Sequence, residues 1–410
     1  MTTFGVRTLP DENAKESSAD LISHFHRLLF PEVSHFASRV LVINERTSDS
    51  CQQQPSASIM NLSNAAINQQ RTGCCRTLKF MPLSARCSHG CCKIDIHRLI
   101  IVGGYDARGK RLSSGAIYDA RTEQWMYLPN DMPGGRARCI VVAKGEYVYV
   151  IGGWDDNYKL VNTMYRLSLK TYQWTDMAPM STERGHFSAV LRGGYIYVFG
   201  GRWRNGSLAS AERYSIADNI WEDLPNMAEK RFGHCAVSTS GNDIYIVGGD
   251  GSCSIELFDI ASRCWNRERN LSDMPEDRNY AAAVMLRDRY LVVIGGRDKI
   301  GPTAASFFIY DCIFNRWSST SASFNMSTAR HNHTAVELGG NVIAAGGLFN
   351  KRLSSMESIE ARDLLESAPL IYPLPTFYFN RILQIVKANI DNVDIDNNAH
   401  AVERRIDFSG

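Results

Sequence analysis

Arginine returns along this chain at a near-constant interval, as Arg136, Arg184, Arg231, Arg278 and Arg330. A guanidinium is a planar fork of five donors that grips a carboxylate or phosphate through two parallel hydrogen bonds. Several such forks gathered in a narrow opening focus positive potential and suit an acidic or phosphorylated ligand. More residues of binding type stand beside them or just after a Gly-Gly pair: Tyr105, Arg138, Trp154, Arg202, Trp203, Tyr280 and Arg297. Trp, Tyr and Arg are the side chains that dominate binding hot spots. Two considerations weigh against this. The recurring arginine would serve equally to satisfy backbone carbonyls or a carboxylate inside the fold, and Asp155, Asp250, Asp277 and Asp298 oppose part of the positive field.

Other chemistries find less support. Cys74, Cys75, Cys87, His89, Cys91 and Cys92 cluster in sequence, and positions 87, 89 and 91 share one face of a strand. Structural zinc sites favour Cys-x2–4-Cys pairs on turns, and His89 falls where the pattern described next also places His234 and His333. A core strand is therefore expected there, with no metal. The chain has no P-loop, no Gly-x-Ser-x-Gly elbow and no Ser-x-Asp-x-Gly-x-x-Trp box, and its 10 histidines lack ligand spacing. A non-catalytic protein without a cofactor is expected.

The elements that must position these residues are legible from a repeat. Gly103-Gly104, Gly152-Gly153, Gly200-Gly201, Gly248-Gly249, Gly295-Gly296 and Gly346-Gly347 follow one another at 47 to 51 residues, each after a short β-rich run such as Val148-Tyr149-Val150-Ile151. An aromatic follows (Tyr118, Tyr165, Tyr214, Phe258, Tyr310), then a tryptophan (Trp125, Trp174, Trp221, Trp265, Trp317), seven residues on or nine in the second copy. Next come a methionine (Met132, Met180, Met227, Met274, Met326), the arginine, and a valine six positions after it. Trp154 and Trp203 stand outside this register, so packing between units does not account for them.

Each unit reads as four short antiparallel strands divided by Gly, Asn, Asp and Pro turns. One such sheet cannot bury both faces; stacked radially, each covers the next, which gives a β-propeller. The alternative propeller repeat has a shorter period and a Gly-His to Trp-Asp pattern, which this chain lacks. The order Gly-Gly, Tyr-Asp, Trp resembles the kelch repeat, over roughly residues 80–360. The resemblance implies an all-β, six-bladed propeller over 76–366, with an irregular last blade. It also implies that the central mouth takes a partner peptide, through Tyr105, Arg138, Trp154, Arg184, Arg202, Trp203, Arg231, Arg278, Tyr280, Arg297 and Arg330. The role it suggests is substrate recognition for a cullin-type ubiquitin ligase; the alternative is a kelch protein that binds actin.

The ends depart from the family pattern. Met81-Pro82 and Arg86-Cys87 read as the tail of a repeat, so a first inner strand is expected just before Gly103. In the sixth copy Ser355–Ile359 continues as a third strand but no tryptophan follows, and residues 367–380 are expected to supply an imperfect outer strand. Residues 1–45 read as a short, partly helical leader and 46–75 as a polar, disordered linker. That length cannot hold the BTB and BACK domains that precede many kelch propellers.

Composition sets the remaining bounds. The 410 residues are 44% hydrophobic and 21% charged, ordinary globular usage, and a net charge of +2 gives no reason to expect nucleic acid. No apolar run reaches membrane-spanning length, and no basic-then-apolar leader is present. A cytoplasmic or nuclear protein is expected, with its 11 cysteines as free thiols.

Overall fold

The computed structural model describes residues 75–368, apart from 82, 83, 205 and 300. Nearly every regular element in that span is a strand. Runs of Val, Ile, Leu and Tyr that end on paired glycines are too short for helix and favour pleated, buried strands. Four strands, lettered a to d from the axis outward, make each blade. Blade one comprises Gly90–Lys93, Arg98–Val102, Gly115–Asp119 and Gln124–Tyr127; blade two Ile140–Lys144, Tyr147–Ile151, Met164–Ser168 and Trp174–Met177. Blade three comprises Ser188–Arg192, Tyr195–Phe199, Ala211–Ser215 and Ile220–Leu224; blade four Cys235–Ser238, Asp243–Val247, Ile255–Asp259 and Cys264–Trp265. Blade five comprises Ala282–Leu286, Tyr290–Ile294, Phe307–Asp311 and Arg316–Ser319. Blade six supplies Thr334–Leu338, Asn341–Ala345 and Met356–Glu360 as strands a to c. The molecule is a six-bladed β-propeller of antiparallel sheets.

The last blade departs from the others through the origin of its outer strand. Arg76–Leu78 occupies that place, pairing Arg76 with Ser358 and Leu78 with Met356. The expectation that residues 367–380 would do so is corrected. A short helix, Ala361–Ser367, leads the chain out of the sheet directly after strand c and buries Leu364, leaving the sheet edge to the segment before blade one. The expected leader, the linker up to residue 74 and the tail from 369 onward lie outside the described residues.

Between blades the core is continuous. Ile100, Val102 and Ile117 of blade one meet Val141, Val148 and Leu167 of blade two. Leu338, Ile343 and Met356 of blade six meet Leu99, Ile101 and Tyr118 of blade one, which shuts the circle. The methionines work at the same seams: the Cε of Met180, Met227, Met274, Met326 and Met81 crowds the sites of Gly152, Gly200, Gly248, Gly295 and Gly346. Met81 therefore fills the sixth methionine position.

The repeating tryptophan latches one blade to the next. Trp174, Trp221, Trp265 and Trp317 donate their indole N–H to carbonyls of Asn130, Ala178, Pro225 and Ser272, at 2.8–3.1 Å, each in the loop leaving the preceding blade. Tyr214 lies across strands from Trp221, and Tyr310 from Trp317, with ring centroids 5.2 and 5.0 Å apart. In blade two the residue opposite Trp174 is Leu167, not Tyr165. This explains the nine-residue spacing: Tyr165 is not the register equivalent of Tyr214, and it serves Arg136 instead. Replacing Trp221 with Phe is expected to lower stability by about 1 kcal/mol through the lost hydrogen bond. Trp125→Phe should cost less, since the Trp125 indole N–H has no partner; denaturant midpoints of the two variants check this.

Candidate functional site

The paired glycines and the arginines form one device. The first glycine of each pair has φ of +55° to +72° and the second +84° to +104°, a region closed to most side chains. A Cβ on Gly200 would stand 2.7 Å from the Arg231 carbonyl, and the same clash recurs at Gly152 with Arg184 and at Gly346 with Arg86. The space is taken because the second glycine donates its N–H to that carbonyl across the seam, at 2.9 Å for Gly153 to Arg184 and 3.0 Å for Gly347 to Arg86. The arginine side chain then turns back into its own blade. Arg184 donates to the carbonyl of Gly200 at 2.7 Å, and Arg231, Arg330 and Arg86 donate to Gly248, Gly346 and Gly103 at 2.9 Å.

This geometry corrects part of the sequence-based site. Arg184, Arg231 and Arg330 are 0% exposed and Arg278 is 7% exposed. Arg184 bonds Glu212 at 2.6 Å, Arg330 bonds Glu357, and Arg231 bonds Glu256 at 3.1 Å. Arg278 donates to the Ser306 hydroxyl and lies over the Phe308 ring. These four are internal staples whose forks are already occupied, so in this structure they do not present themselves to a guest. Arg86, which the five-fold count in the sequence passed over, is the same staple in blade one. Burial pulls its pKa down to about 10.

Two residues beyond each arginine position the chain does something regular. Ser88, Arg138, His186, Gly233, Tyr280 and Asn332 all have positive φ, between +51° and +66°. Each donates its backbone N–H to the carbonyl of the equivalent residue one blade back, at 2.7–3.2 Å, and Ser88 closes on Asn332. The six bonds make a complete ring around the axis. A left-handed conformation costs a non-glycine residue roughly 1–2 kcal/mol, yet five of the six positions carry a side chain. The same residues line an axial cavity of about 130 Å³, with His89, His234 and His333 behind them.

Around the ring stand the remaining sequence-predicted residues. After five of the six Gly-Gly pairs the next residue bridges back to the residue before the ring, among them Tyr105 to Cys87, Trp154 to Ala137, Arg202 to Gly185 and Arg297 to Asn279. Tyr105, Arg138, Trp154, Arg202 and Tyr280 are half-buried, while Trp203 and Arg297 are exposed. Arg138 and Tyr280 line the axial cavity, Tyr105 and Trp154 face Arg138, and Arg297 faces Tyr280, while Trp203 sits on the hairpin after Arg202. The arginines lie over aromatic rings: Arg202 at 5.4 Å from the Phe232 centroid, Arg297 at 5.8 Å from Tyr280, and Arg138 at 5.5 Å from Tyr105. His186 and Tyr280 are 4.9 Å apart, centroid to centroid. His186 escaped sequence reasoning, although its offset of two from the repeating arginine, like that of Arg138, was a usable signal.

The imidazoles here are held neutral. Burial pushes His89 and His234 down to about 3, with a nearby buried arginine adding to the effect. His186 is lowered by burial, then by Arg138 and Arg202. The Cys-His cluster does not gather: Cys87 sits in the mouth, His89 contacts Thr334 at 2.9 Å, and Cys91 and Cys92 face opposite blade interfaces. Cys74 lies outside the described residues.

The fold and its mouth define a propeller of the protein-interaction class. Family models place it more closely. The KLHDC2/KLHL20/DRC7 Kelch-repeats domain matches residues 58–249, and the Kelch motif matches 231–272 and 278–321. The chain belongs to the kelch-repeat family. Among its relatives is Kelch-like protein 40 of Mus musculus, 31% identical over 179 residues, which cover 43% of this chain and 28% of that protein. Kelch-like protein 23 of Homo sapiens is 26% identical over 270 residues, 65% of this chain and 46% of that one. Alpha-scruin of Limulus polyphemus is 26% identical over 234 residues, 53% of this chain and 25% of that one. The chain thus matches a quarter to about half the length of these curated relatives.

Proposed function

We propose that the mouth docks an acidic or phosphorylated segment of a protein partner, and that the chain serves substrate recognition linked to a cullin-type ubiquitin ligase in the cytoplasm. One observation carries the docking role: five side chains are kept at left-handed ring positions where glycine would cost nothing. Backbone strain of this kind persists where the side chain is needed. Arg138 is the sharpest case, since its buried Nε has no partner and its fork stacks on Tyr105 and Trp154 without a recorded hydrogen bond.

The test separates binding from folding. Arg138→Gly relieves the left-handed strain and removes an unpaired buried nitrogen, so its melting point should equal or exceed that of the parent. Captured partner should fall by tenfold or more, read by proximity labelling in cells followed by mass spectrometry. A variant that melts as the parent does and labels the same partners would remove the mouth from the account. The labelled set also tests the wider role: cullin among the partners supports it. Cosedimentation with filamentous actin, abolished by the same substitution, would replace the ligase role with a cytoskeletal one.

A further inference from the structure

Three arginines at the mouth lack a charged partner among the described residues. Among the described residues, Arg138, Arg202 and Arg297 have no carboxylate partner and no hydrogen bond from the guanidinium; their only recorded side-chain contacts are the faces of aromatic rings. Stacking of that kind fixes the plane of a guanidinium and leaves its N–H edge free. The carboxylates nearby are engaged differently. Asp250 accepts from the Ser207 hydroxyl, and Asp155 accepts the backbone N–H groups of Asn157 and Lys159. They shape loops and do not neutralise the arginines by contact.

Tyr280 lies in the field of Arg138, Arg297, Arg202 and one acid, Asp250. Its surroundings are therefore net positive, and Arg111, stacked on Tyr105, adds to that field. The groups here that can donate to a guest are the three forks and the Tyr280 hydroxyl, while the neutral imidazoles of His89, His234 and His333 lie behind them. An acceptor-only group with more than one negative charge suits both that field and three unpaired forks. A single carboxylate supplies half the charge and two oxygens; a phosphomonoester supplies close to two charges and three oxygens.

We propose that the anion taken at this mouth is a phosphomonoester on a partner's side chain, held by Arg138, Arg202 and Arg297 with Tyr280 as a further donor. This rests on the docking role above and narrows it to one ligand chemistry. Tyr158, Trp203 and Phe349, exposed on the loops that carry the site, offer apolar footing for the residues flanking the phosphate. That footing favours a phosphopeptide over free phosphate.

The full chain is titrated by fluorescence polarisation with three peptide libraries of random flanks, fixed at the centre as phosphoserine, glutamate or serine. The phosphoserine library should bind at least tenfold more tightly than glutamate, and serine least. Arg202→Ala with Arg297→Ala should erase that preference, and Tyr280→Phe should reduce it severalfold, with melting points unchanged in both. Inorganic phosphate should compete only at far higher concentration. Phosphoserine binding should also weaken from pH 7.5 to 5.5, as the phosphate loses its second charge near pH 6. The mouth imidazoles stay neutral across that window, because burial and arginine fields hold His186 well down and His331 near 4. Equal or tighter binding of the glutamate library would overturn the phosphate assignment and leave acidic docking standing. Binding of neither library would overturn both, and phosphoserine binding untouched by the arginine changes would move the anion away from this mouth.

Discussion

Alanine at Arg184 or Arg330 is expected to lower the stability of the propeller by about 3–5 kcal/mol, the usual consequence of leaving one half of a buried ion pair alone. Each guanidinium replaces water at three kinds of acceptor. For Arg184 these are the Gly200 and Ser210 carbonyls and the Glu212 carboxylate, the last only 1% exposed. Removing the fork strands Glu212 in the seam, while its other oxygen still accepts the Ser181 N–H. In a domain of this size the loss corresponds to roughly 5–8 °C in melting temperature. Arg278→Ala should be milder, because Arg278 faces Phe308 where blades three, four and six have Glu212, Glu256 and Glu357, and among the described residues it pairs with exposed Glu276. Arg202→Ala and Arg297→Ala, which break no recorded hydrogen bond, should leave the melting temperature unchanged. Thermal denaturation of the five variants decides: if Arg184→Ala melts with Arg202→Ala, the buried arginines are not the staples described.

That contrast marks what the sequence could and could not say. Period, blade number and strand order were legible because they depend on residue types that only one environment tolerates. Paired glycines follow from a carbonyl 2.7 Å from where a Cβ would sit, and tryptophans from a seam one indole wide. The arginines were harder, since the same residue type serves a buried staple and an open fork. A partial signal was present: a glutamate two residues after a serine, as in Ser210-Ala211-Glu212, Ser254-Ile255-Glu256 and Ser355-Met356-Glu357, accompanies Arg184, Arg231 and Arg330, though not the likewise buried Arg278 and Arg86. No such acid attends Arg138, Arg202 or Arg297. Closure was not legible for a different reason. The outer strand of blade six is three residues long, too short for any periodicity, and it pairs with residues some 280 positions away.

That short strand leads to the other large effect. Deleting residues 1–81 should destabilise the ring far more than deleting 1–71, although only ten residues separate the two. The difference removes the three-residue ladder to Met356–Ser358 and the buried side chains of Leu78 and Met81, 7% and 3% exposed. Each such side chain is worth roughly 1.5–3 kcal/mol on burial, so the pair alone contributes about 3–6 kcal/mol. In a stacked array each sheet is stabilised by its neighbours, and a ring has no end only while its last seam holds. Opening that seam exposes Leu338 and Ile343 of blade six to water and the edge of Met356–Glu360 to strangers. Hydrogen exchange should therefore accelerate first in blades six and one, while blades three and four, on the far side of the circle, keep their protection longest. Met81→Ala in the full chain isolates the packing part, at about 2–5 kcal/mol. Uniform exchange across all six blades after the longer deletion would mean that the circle is held elsewhere than at this seam.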